Sequence, residues 1–153
     1  ASSLYKPLSN KFIDNYVKKA RQKHDARLVG DFKELLNTYR ERNKSKMMIT
    51  GFLADQYPAQ TKRKVALDFF GKKISFHSSA YDLKESLFDC SYFFHTRRVK
   101  RFHYEVSLIE LEHDSDRQKY LQAYATALEK MIKEQPESWL WSHKRFKDEQ
   151  IYE

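Results

Sequence analysis

The sequence predicts an α/β fold, with a mixed sheet flanked by helices. Three observations carry that prediction. Apolar residues recur at helical spacing behind capping residues in several stretches. The run KMMITGFLAD is continuously apolar, as a buried strand would be. The run HYEVSLIELE instead alternates, placing Tyr104, Val106 and Leu108 on one face of a strand.

The elements follow in order. Asn10 caps a helix that runs to about Lys23, with Phe12, Ile13, Tyr16, Val17 and Ala20 at helical spacing and a basic opposite face. A short extended piece, ARLVG, comes next. Asp31 and Glu34 form a capping-box pattern, and the helix behind them carries Phe32, Leu35, Leu36 and Tyr39 on one stripe. Arg40, Arg42 and Lys44 crowd its C-terminal end, where the dipole favours cations. The apolar run KMMITGFLAD then ends at Asp55, in a loop. VALDFFGKKISF reads as extended or irregular, broken at Gly71. Ser79 to Phe88 suits a short helix, and 91 to 99 a strand. Ser115 and Gln118 make a second capping box. It opens a helix with Tyr120, Leu121, Tyr124, Leu128, Met131 and Ile132 on one stripe. Pro136 suits the first position of a last short helix.

A length of 153 residues fits a single domain over 1–153, long enough to bury on the order of two thirds of its unfolded surface. Hydrophobic residues at 41% and aromatics at 15% exclude a disordered chain. One cysteine, Cys90, excludes an internal disulfide framework and any Cys-rich zinc site. No histidine or carboxylate spacing supports a metal site, and no cofactor is expected. No run approaches about 18 apolar residues, so the chain is expected to be soluble. The net charge of +8 attracts anions of several kinds. A non-catalytic basic module, binding nucleic acid or an anionic membrane surface, is therefore one reading of the chain. The clusters RRVKRFHY and WLWSHKRFK suit it, because bases stack on aromatics and phosphates pair with Arg and Lys. No RNA-recognition or helix-turn-helix signature accompanies them. The plainer reading of WLWSHKRFK is that Trp139 and Trp141 dock on the core while the basic residues stay solvated.

A histidine that activates a hydroxyl needs a carboxylate to orient it. The pattern His-x4-Asp occurs twice, at His77 with Asp82 and at His143 with Asp148. Six histidines and 21 acidic residues in 153 positions give about 0.8 such pairs by chance, so the spacing carries little weight alone.

EQPESWLWSHKRFK is, however, very similar to the C-terminal signature of the bacterial lipid A biosynthesis acyltransferases, approximately Pro-Glu-x-Trp-x-Trp-x-His-(Arg/Lys)-Arg-(Phe/Trp)-Lys. SLYKPLSNKFID resembles that family's Tyr-(Arg/Lys)-Pro-x-x-Asn segment. KKARQKHDARLV resembles its arginine block, and GFLADQYP its Ala-Asp-Gln-x-Pro block. FFG and RRVKRFHYEV follow in family order, so the resemblance covers nearly all of 4 to 147.

The resemblance implies acyl transfer from an acyl carrier protein thioester to a hydroxyl of a phosphorylated lipid A precursor. The place would be the cytoplasmic face of the bacterial inner membrane, with no nucleic acid as partner. The family's catalytic His-x4-Asp/Glu pair and apolar anchor lie upstream of the Tyr-x-Pro-x-x-Asn segment, where this sequence begins. The resemblance therefore implies the C-terminal portion of a larger acyltransferase fold, with no catalytic residue of its own and no activity alone. An apolar face left open on such a portion leads us to expect self-association. By the same resemblance, Arg21 or Arg27 would bind lipid phosphate. Asp55 and Gln56 would line the substrate site from a strand-end loop. Arg97 and Arg98, with Lys100 and Arg101, would face anionic headgroups or the acidic carrier protein.

Overall fold

The computed structural model describes residues 1–5, 7–23, 26–41, 47–58, 63–112 and 114–146. The chain is mixed α/β and divides into two compact units, Ala1–Leu53 and Ala54–Glu153.

The first unit is built on a parallel three-stranded sheet. Strand β1 (Ser2–Leu4) lies between β2 (Arg27–Val29) and β3 (Thr50–Gly51). Parallel neighbours require crossovers, and α1 (Lys11–Arg21) and α2 (Phe32–Glu41) occupy them. Asn10 caps α1 as its sequence indicates, its side chain accepting from the Phe12 and Ile13 amides. At α2, Asp31 accepts from the Glu34 amide at 2.8 Å, while Glu34 reaches back to the Gly30 amide at 2.6 Å. Val29, Leu35 and Tyr5 are buried.

Two expectations fail in this unit. The run KMMITGFLAD is not a buried strand. Among its described residues only Thr50 and Gly51 pair, and Met47, Ile49 and Leu53 are exposed; Lys46 lies outside the described residues. Its strand lies at an edge of the sheet with one neighbour, and two residues of pairing cannot bury ten. The helical stripe of α1 has the right period but the wrong fate. Phe12 is 83% exposed, with Ile13 and Tyr16 also open, and the buried residue is Asp14.

The second unit holds two antiparallel hairpins. Strands β4 (Lys64–Phe69) and β5 (Lys72–His77) are joined by a two-residue turn. There Phe70 and Gly71 take φ of 53° and 73°, the signs that a type I′ turn requires. Helix α3 (Ser79–Leu87) follows. Strands β6 (Tyr92–Lys100) and β7 (His103–Glu110) form the second hairpin, with a register shift between Arg98 and Lys100. Helix α4 (Arg117–Glu134) is capped by Asp116 and not by Ser115. Asp116 sits in extended backbone and accepts from Gln118 and Lys119. The expected last helix is a single 3-10 turn over Pro136–Ser138.

The core forms where α4 covers the first hairpin. Leu67, Phe69, Ile74 and Phe76 meet Tyr120, Leu121, Ala125, Leu128 and Ile132, with Phe93 from β6. Burial at this scale stabilises by roughly 1.5–3 kcal/mol per large side chain. Helix α4 also closes the free edge of β4. Gln118 donates to the Ala66 carbonyl, and Gln122 both accepts from and donates to the Asp68 backbone. Glu129 accepts from the Phe70 amide. A strand edge that would otherwise offer open pairing groups is thereby satisfied.

Candidate functional site

In the first unit, the Tyr-Lys-Pro segment acts through Tyr5 and Asp14. The buried Tyr5 hydroxyl donates to Asp14 at 2.6 Å. The Leu8 amide donates to the same carboxylate at 2.8 Å, and Lys18 pairs with it at 2.7 Å. Lys18, then Tyr5 and the Leu8 amide, hold the Asp14 carboxyl down to about 2. Arg21 ends α1 with its guanidinium 5.4 Å from the Tyr5 ring centroid. A stacked guanidinium keeps its in-plane N–H groups for an anion. Arg27 starts β2, its amide bonded to the Ala1 carbonyl and its residue exposed.

In the second unit, Asp55 and Gln56 lie on the loop that leads to the buried Pro58. Gln56 is exposed and Asp55 half-buried. Burial first, and the charge of Asp55 second, push the Tyr124 phenol up. The loop is held from far along the chain: the Tyr57 amide donates to His143 Nε2 at 2.8 Å.

Arg97 and Arg98 lie side by side in sequence but differ in use. Arg97 pairs across the ladder with Glu105. Arg98 has its backbone clamped, its amide donating to Gln135 Oε1 at 2.9 Å and its carbonyl accepting from Gln135 Nε2 at 2.8 Å.

The aromatic and basic run at the C-terminal end thus works as a clasp. Gln135 holds β6 and His143 holds the Asp55–Gln56 loop. Trp139 packs against the core, and Trp141 donates from its ring nitrogen to the Pro136 carbonyl at 2.7 Å. The expectation of solvated basic residues fails at Arg145, which is 1% exposed. Its guanidinium lies 4.0 Å from the Phe76 ring centroid and donates to the Ser75 carbonyl at 2.8 Å. Phe146 stacks on Phe69. Buried Arg145 and the clamp of Gln135 carry no periodic signal in the sequence, because their partners lie 70 and 37 residues away.

Both His-x4-Asp pairs can be placed against general-base chemistry. The Nε2 lone pair of His143 is engaged by the Tyr57 amide, and Asp148 lies outside the described residues. His77 ends β5. Burial, then the neighbouring Arg145 cation, lower its pKa and so favour the neutral imidazole.

Among the described residues, no helix is long and apolar enough to cross a membrane. The sequence profile of one family, described as bacterial lipid A biosynthesis acyltransferase, matches residues 1–148. No curated protein matches the chain.

Proposed function

The chain belongs to the bacterial lipid A biosynthesis acyltransferase family, and from that premise we propose that it serves fatty acyl transfer to a lipid A precursor as the acceptor-binding part of the enzyme. The donor is an acyl carrier protein thioester. A general base takes the proton of the acceptor hydroxyl, the oxygen attacks the thioester carbonyl, and the C–S bond breaks to release the carrier thiol. The base is neither His77 nor His143. The isolated chain is expected to be inactive.

The family match over 1–148 carries this reading. The Tyr57 amide on Nε2 supports the exclusion of His143. Arg21 and Arg27 serve the precursor's phosphate, since a guanidinium fork fits two phosphate oxygens. Asp55 and Gln56 orient the sugar-based acceptor. Arg97 and Arg98 face the acidic carrier or the cytoplasmic surface of the inner membrane.

Two measurements test this. Radiolabelled acyl transfer by the isolated chain should stay at background, and turnover at the rate of an intact acyltransferase would overturn the assignment of the base. In an active enzyme of the family that contains these residues, Arg21→Ala or Arg27→Ala should raise KM about tenfold for the loss of one charged contact. Unchanged kinetics in both variants would discard the phosphate role.

A further inference from the structure

The β6–β7 hairpin has two unlike faces. Phe93 is buried in the core and His95 meets Glu134 at 3.2 Å on one side. On the other, cross-strand partners Phe94 with Leu108, Thr96 with Val106 and Arg98 with Tyr104 share a face. Phe94, Leu108, Val106 and Tyr104 are all exposed there. The turn end carries Arg98, Lys100 and Arg101, all exposed, around Phe102.

Phe102 is the informative residue. It takes φ of 63°, a left-handed conformation that glycine or asparagine adopts readily and a bulky side chain does not. Packing does not account for it, because the residue is 80% exposed and the Arg101 guanidinium lies 4.9 Å from its ring centroid. Backbone strain that is kept without burial points to a use for the side chain itself.

We infer that the tip and open face of this hairpin dock on an anionic lipid bilayer. Phe102 enters the interface between headgroups and acyl chains, Lys100, Arg101 and Arg98 pair with lipid phosphates, and the Phe94–Leu108 face lies against the membrane. An apolar surface edged by cations matches the two layers that such an interface presents. A soluble partner would have to match an apolar strip and a cationic tip at once. A second copy would bring like-charged tips together in any parallel pairing. The inference rests on the membrane-surface role proposed above for Arg98 and deepens it, and its test needs no acyl transfer.

The test is co-sedimentation of the full chain with vesicles of equimolar phosphatidylglycerol and phosphatidylcholine, against phosphatidylcholine alone. Binding is expected to the first and to weaken with salt. Lys100→Ala combined with Arg101→Ala should lower it about tenfold or more. Phe102→Gly should lower it about tenfold, while its unfolding midpoint stays level or rises, because glycine suits the turn. That combination separates a role of the ring from a loss of fold. Equal binding by all the variants, or none by the parent chain, would overturn the inference. So would a parent dimer that Val106→Glu splits without changing vesicle binding, since the face would then belong to a second copy.

Discussion

The two hairpins of the second unit share a topology and differ in what covers them. Each turns on a phenylalanine with positive φ, Phe70 at 53° and Phe102 at 63°. In the first, the ring meets Phe69 edge-on at 4.9 Å and Phe146 at 6.4 Å. The strained backbone there is offset by packing. The first hairpin also has its edge bonded by Gln118, Gln122 and Glu129 of α4, and its strands supply four core residues. The second is tied at Phe93 and at the Gln135 clamp on Arg98, and its β7 is exposed throughout. One unusual backbone conformation thus has two explanations. Packing accounts for Phe70, and a surface function accounts for Phe102.

The largest expected effect lies in the covered hairpin. Arg145→Ala removes a buried side chain, leaves a cavity against Phe76 and takes a donor from the Ser75 carbonyl. It should cost about 3 kcal/mol in urea unfolding. A loss below about 1 kcal/mol would mean that Arg145 is not part of the core.

The paired turn variants should come next. Phe70→Gly relieves strain but loses ring contacts, for a net loss of about 1 kcal/mol. Phe102→Gly should be neutral or stabilising by up to about 1 kcal/mol. Equal losses in both would erase the contrast between the hairpins.

The smallest effect is a pH dependence at the end of β5. The pKa of His77 is lowered in the folded chain, so the unfolded chain binds its proton more readily. The contribution is absent at high pH. Stability falls as pH drops below the ordinary histidine range of about 6.5. His77→Gln should flatten that slope in thermal melts between neutral and mildly acidic pH. A slope that survives the substitution would place its origin elsewhere.

Much of the fold is legible in the sequence. Asn10 and the α4 stripe specify two helices, because caps and periodicity are local properties. The alternation of HYEVSLIE gives β7 and the identity of its shared face, but not that the face is open. Burial depends on what lies opposite, which the strand's own residues do not encode. The same limit explains Phe12 and Tyr16 on α1. Strand β1 has three residues, too few for any period, and is found only through its parallel partners Arg27–Val29 and Thr50–Gly51. The site residues are legible through family resemblance alone. Arg21, Asp55 and Arg98 carry no distinguishing local pattern; the Asp55 loop is held through Tyr57 by His143 and the Arg98 backbone by Gln135, each partner 37 or more positions away.

The central claim is that the Trp-rich C-terminal run is a clasp on the Asp55–Gln56 loop and not a catalytic pair. Amide hydrogen exchange at Tyr57 tests it most directly. In the parent chain the Tyr57 amide should be protected, and His143→Ala should abolish that protection while the amides of β5 keep theirs. Tyr57 exchange that is equally slow in the variant would contradict the clasp and return His143 to consideration as a base.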